Sequence, residues 1–126
     1  MAVFGRGEGT LILDEIKTKL KEVDPNVFYG MVDNSMQELV WDYIVFNRTS
    51  MKASSNKTGY SDYFTVHIIR EHWIPEGLEL QIINKMLEIS GMRLAGTDAV
   101  YTYTSKPKTN VVIEMLSIDF VRPKKA

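Results

Sequence analysis

Between Tyr43 and Arg70 the chain reads YIVFNRTSMKASSNKTGYSDYFTVHIIR, two runs of β-branched and aromatic residues on either side of a polar segment. In the second run Phe64, Val66 and Ile68 alternate with Thr65 and His67, the two-residue period of a strand with one buried face. In the first, Tyr43, Ile44, Val45 and Phe46 are consecutive, which fits a central strand covered on both faces. The runs therefore read as an antiparallel pair, and the rest of the fold must be built around it. The segment between them holds about a dozen residues, where a compact hairpin needs roughly two to five. Arg48 to Tyr60 is thus expected to be a long polar loop that is either disordered or has a task outside its own fold. Shortening Thr49 to Gly59 to a tight turn is then expected to spare folding and impair assembly.

Two helical patterns supply something for such a sheet to pack on. Ile12, Ile16, Leu20 and Val23 fall at helical spacing, with Leu13 widening the stripe. Thr10 is the expected N-cap, Asp14 and Glu15 lie near the first turn, lysines follow, and Asp24-Pro25-Asn26 stops the helix. Leu78, Ile82, Met86 and Ile89, broadened by Ile83 and Leu87, make a second stripe that opens after Pro75-Glu76-Gly77 and stops at Gly91. Burying each such side chain contributes roughly 1.5–3 kcal/mol before the entropy of ordering is subtracted, so this helix needs a sheet.

The remaining segments read as strands. Val27 to Val32 is a short one interrupted by Gly30, and the polar span Asp33 to Glu38 links it to an extended run from Val40 to Arg48. Ala99 to Thr104 and Val111 to Val121 form a second hairpin around the turn SKPKTN. Along its second strand Ile113 and Met115 share one face while Leu116, Ile118 and Phe120 share the other. That change of parity requires either a β-bulge near Met115 or burial of both faces, the latter by a partner. The order of elements gives an α+β fold: one mainly antiparallel sheet with two helices packed on one face. Residues 1–126 are expected to form a single domain, with 1–9, MAVFGRGEG, a flexible N-terminal arm.

A search for chemistry returns little. The chain has no Cys, which excludes disulfides, thiolate catalysis and cysteine zinc sites. His67 and His72 are placed on opposite faces by the strand period, so a shared metal is not expected. No Ser lies in a G-x-S-x-G turn, the carboxylates are scattered, and GRGEG lacks the strand and the Lys-Ser/Thr of a phosphate loop. The sequons at Asn47 and Asn56 read as chance occurrences in polar sequence. Neither an apolar signal segment nor a span of bilayer length is visible, so a cytoplasmic origin without a membrane partner is expected.

Fifteen basic residues meet sixteen acidic ones for a formal charge of -1, whereas proteins that grip nucleic acid by counterion release carry a basic surplus or a basic face. Arg122-Pro123-Lys124-Lys125 reads as solvated terminal charge. Tyr60, Tyr63, Tyr101 and Tyr103 could stack on bases, but without a basic groove they fit interface aromatics better.

An N-terminal helix, a DYIVFNR strand, a polar segment, a DYFTVHIIR strand, a PEGLELQIINKML helix and a final strand pair resemble the small tail-completion, or tail-terminator, proteins of long-tailed bacteriophages. The likeness runs from Leu11 to Val121 and lies in the pattern of elements. It implies a ring, usually a hexamer of identical copies, that caps the head-proximal end of the tail tube and joins it to the head connector. It implies as partners the tail tube protein and a head-completion or connector protein, with DNA passing through the lumen without sequence-specific binding. The place of action would be the virion, after assembly in the host cytoplasm. No catalysis, cofactor or metal is implied. The expected subunit or tube contacts are Arg48, Lys52, Lys57, Tyr60, Tyr101 and Tyr103, with the terminal strand. Two other readings are another neck component, such as a head-closure or connector protein, and a small ligand-binding or catalytic domain.

Overall fold

The computed structural model describes residues 11–31, 41–53 and 59–125, with Lys125 described by its backbone alone. The N-terminal arm, the Thr10 cap and the polar link lie outside these residues. In order the elements are α1 (Ile12–Lys21), β1 (Val27–Tyr29), β2 (Tyr43–Ala53), β3 (Gly59–Glu71), α2 (Leu78–Leu87), β4 (Arg93–Leu94), β5 (Val100–Ser105) and β6 (Val112–Lys125). The strands make one sheet in the order β1-β2-β3-β6-β4, with β5 also paired to β6. Only β1 runs parallel to its neighbour; β2, β3, β4, β5 and β6 pair antiparallel. The fold is α+β, as the sequence pattern leads one to expect.

The polar segment between the first two strand runs is not the expected loop. β2 continues through Ala53 and β3 begins at Gly59, with Ser50 opposite Tyr63 and Ala53 opposite Tyr60. A register shift between Arg48 and Ser50 inserts Thr49 as the extra residue of a bulge. On its other side β3 keeps pairing with β6 to the end, Tyr60 opposite Lys124 and Gly59 opposite Lys125. The result is a three-stranded arm beyond the helices. Backbone pairing, not apolar burial, explains why Arg48–Ala53 and Gly59–Tyr63 are strand despite their polarity.

Alternation sorts the side chains onto two faces. On one, Ile44, Phe46, Phe64, Val66, Ile68, Leu116, Ile118 and Phe120 meet Ile16 and Leu20 of α1 and Leu78, Ile82 and Met86 of α2 in a single core. Both helices thus cover the same face. On the other, Val45, Ile69 and Ile113 form a smaller cluster bordered by Phe28, Trp41, Tyr43 and Met115. This corrects the expectation for the last strand: β3 and β6 stay in register from Gly59↔Lys125 to Glu71↔Ile113, so there is no bulge. Ile113 is 2% exposed within one chain, so burying it needs no partner either.

Local features fix the helices against the sheet. Leu11, in extended conformation, occupies the N-cap of α1 without a side-chain cap, and its carbonyl accepts from the Asp14 and Glu15 amides. Past the helix, Asp24 is buried; one carboxylate oxygen accepts the Asn26 amide at 2.9 Å and the other accepts Arg70 at 2.7 Å. This pair ties the α1–β1 turn to the end of β3. Gly77 begins α2 at φ 93°, a left-handed conformation that a side chain would strain. Lys19 bridges Glu88 and Lys85 bridges Glu22 across the two helices, but exposed pairs of this kind contribute little.

Phe64 and Phe120 are register partners with no exposed surface. Phe64→Ala is expected to lower unfolding free energy by about 3–5 kcal/mol, against less than about 0.5 kcal/mol for Met51→Ala on the exposed arm. Urea unfolding monitored by circular dichroism checks the contrast. Removing one partner of the Asp24–Arg70 pair, as in Arg70→Met, should cost about 3–5 kcal/mol because it strands a buried carboxylate.

Candidate assembly surfaces

β5, VYTYTS, is the outermost strand along half of one side of the sheet, and all six of its residues are exposed. The Lys106 amide donates to the Val111 carbonyl at 2.8 Å, which fixes the phase of the hairpin ladder. Residues alternate along an antiparallel strand, so 100, 102 and 104 turn their backbone groups toward β6 and Tyr101, Tyr103 and Ser105 turn theirs outward. Tyr101 and Tyr103 are 49% and 63% exposed. The Tyr103 hydroxyl donates to Glu114 at 2.8 Å, and that hydrogen bond is the main cause of the upward shift of its pKa. Natural edge strands are usually blunted by charge, Pro or a bulge, and β5 has none of these.

A second free edge lies on the opposite side of the sheet. β1 pairs with Ile44 to Phe46 and the Gly30 amide makes the last bond, to the Phe46 carbonyl. Beyond that point, among the described residues, nothing flanks β2 from Arg48 to Ala53 on its outer side. Counting senses across β6 and β3, β5 and β2 run in opposite directions.

The arm itself gathers Arg48, Lys52 and Tyr60 with Arg122 and Lys124. Arg48 donates to the Tyr29 hydroxyl at 3.2 Å, Arg122 donates to the Ser90 carbonyl at 3.1 Å, and the Lys124 ammonium stands 5.7 Å from the centre of the Tyr60 ring. Three of the expected contact residues therefore sit at one end of the sheet. Tyr101 and Tyr103 lie on the far edge toward the other end, and Lys57 lies outside the described residues. The terminal strand is interior for most of its length, between β3 and the β4/β5 side, so it offers an edge only past its pairing with β4 at Val121.

One polar cluster escaped sequence reading. On the sheet face away from the helices, His67 and Ser117 are cross-strand partners with Nδ1 and Oγ 2.7 Å apart. Two residues along, Asp119 accepts Thr65 at 2.6 Å and Thr97 at 2.9 Å. The residue types are those of a hydrolytic triad, but the relay is missing: both Asp119 oxygens are taken by threonines, so none orients the imidazole. Burial pushes the His67 pKa below its usual value, opposed by the Asp119 charge. The cluster is a satisfied polar seam across β3 and β6. Its signal in sequence was only alternation, which cannot pair residues so far apart.

No protein-family model matches the chain, and no curated protein matches it.

Because the native imidazole titrates below the unfolded one, the unfolded state binds more protons as the pH falls through this range. Stability is then full above about pH 6.5 and declines as pH drops from there through the native pKa. Urea midpoints taken at about pH 7.5 and about pH 5.5 should fall for the wild type, and His67→Gln should remove that part of the fall.

Proposed function

We propose that this protein is a structural subunit that closes into a ring of identical copies, and that the ring is the tail terminator of a long-tailed bacteriophage. The observation that carries the reading is the pair of sheet edges, on opposite sides of one domain, that no strand flanks among the described residues. The uncharged β5 edge of one copy meets the β2 edge of the next, beyond the end of β1. The two strands run in opposite senses and lie toward opposite ends of the sheet, so copies related by rotation about an axis to which the strands are tilted pair them antiparallel, the offset being taken up as stagger. Such a contact is head to tail, and a head-to-tail contact that closes makes a ring. The order of elements, similar to that of tail-completion proteins, supports the position in the virion. The tail tube and the head connector are the partners that follow, and a hexamer is the size that the likeness implies.

Backbone groups at Tyr101 point away from β6, so Tyr101→Pro removes an outward donor and leaves the hairpin ladder in place. Native mass spectrometry and light scattering should find the wild type as a closed oligomer and Tyr101→Pro as a monomer with nearly the same melting temperature. A wild type that stays monomeric at high concentration, with and without tail tubes, would remove the reading. A wild-type ring that binds connectors but not the ends of purified tubes would move it to another position in the neck.

A further inference from the structure

The arm brings together cations that the sequence keeps some seventy residues apart, with β3 holding β2 on one side and β6 on the other. Arg48, Lys52, Arg122 and Lys124 lie there, and Arg93 of β4 stands beside Val121. Within Arg48–Ala53, Gly59–Tyr63 and Val121–Lys125 the one carboxylate is Asp62. Nearer the helices and the other end of the sheet, Lys19, Arg70, Lys85 and Lys106 are each ion-paired, whereas among the described residues Lys17, Lys21 and Lys108 are not. Among the described residues, the arm's cations have no such pair. The partners of Arg48 and Arg122 are a hydroxyl and a carbonyl, and Lys124 faces a ring, so only Asp62, opposite Arg122, offsets the positive charge.

We infer that this arm binds the phosphate backbone of double-stranded nucleic acid without reading its sequence. The warrant is charge complementarity with a line of phosphates. β2 and β6 are two strand spacings apart, about 10 Å, within the span of the roughly 6–12 Å grooves of a duplex, so cations on the two outer strands can meet phosphates on both sides of a groove. Ser50, Ser61, Tyr60 and Thr49 add neutral hydroxyl donors of the kind that position a protein on phosphate oxygens. Lys52 lies on one face with Ser61, and Arg122 and Lys124 lie on the other with Asp62 and Tyr60. An acidic protein patch would engage one face of the arm, whereas a groove has walls that reach both. The arm is complete in one copy, so the inference does not depend on ring closure.

The test is fluorescence anisotropy of a labelled random-sequence duplex of about 20 base pairs, titrated with the full chain from about 50 to about 200 mM salt. Neutralising about four phosphates predicts a slope of log affinity against log salt near −3.6. Lys52→Glu combined with Lys124→Glu should weaken binding at least about tenfold and reduce the slope by about 2, while Lys17→Glu combined with Lys21→Glu on α1 should change affinity less than about twofold. Melting curves establish that both variants fold, and Lys52→Gln with Lys124→Gln repeats the measurement without reversed charge. No binding at the lowest salt, or equal loss in the arm and α1 variants, would overturn the inference. So would polyglutamate competing as well as unlabelled duplex, which would assign the arm to an acidic protein surface.

Discussion

The pairing of β3 with β6 is the interaction on which the molecule depends. It is unbroken from Gly59↔Lys125 to Glu71↔Ile113, and it joins segments about fifty residues apart in sequence. Phe64, Val66 and Ile68 then lie beside Phe120, Ile118 and Leu116, and these six side chains make the floor of the core under both helices. The same ladder carries His67 to Ser117 and Thr65 to Asp119 on the opposite face. Closing so long a loop has an entropic cost that local contacts cannot repay, so most of the stabilisation arrives only once this pair and its helix cover are in place. A slip of one residue would invert both faces together, exposing the phenylalanines and burying Asp119.

Much of the architecture was legible because it is periodic. The stripes Ile16–Leu20 and Leu78–Ile82–Met86 and the alternation Phe64–Val66–Ile68 state which face is buried, and that face is the one buried. What failed was inference from polarity. Polarity marks RTSMKA and Gly59–Tyr60 as loop, yet they are strand because each has a backbone to pair with. Sequence shows what a side chain prefers to touch; it does not show that a neighbouring strand continues alongside. The supposed need for a bulge or a partner at Met115 failed for a related reason. Phe28 of β1, Tyr43 of β2 and Trp41 just before it border the second cluster, and no local pattern announces that.

Charge is the clearest case of a property that topology creates. A formal charge of -1 suggests an electrostatically indifferent surface, and Arg122-Pro123-Lys124-Lys125 by itself is a short terminal cluster. Folding separates the charges. The arm keeps Arg48, Lys52, Arg122 and Lys124 against Asp62, while near the other end of the sheet Asp24 is paired with Arg70 and Glu71 with Lys106. A near-zero sum thus hides a local excess of positive charge on the arm, and only the local field is felt by a partner within a Debye length, about 8 Å at physiological salt.

Edges and faces of a sheet are also chemically independent. An edge offers N–H and C=O groups in the plane of the sheet, and the faces carry side chains perpendicular to it. β2 beyond Phe46 can therefore pair its backbone with a neighbouring copy while Arg48 and Lys52 remain on the faces. If copies close edge to edge, arms are repeated at fixed spacing around the ring, and a handful of cations that would hold a duplex weakly and reversibly in one copy act together. Repetition raises avidity without adding any base contact, so the binding stays indifferent to sequence and sensitive to salt. A protein built this way can keep hold of a long polyanion while letting it move, because each phosphate released on one side of an arm is replaced by an equivalent one on the other.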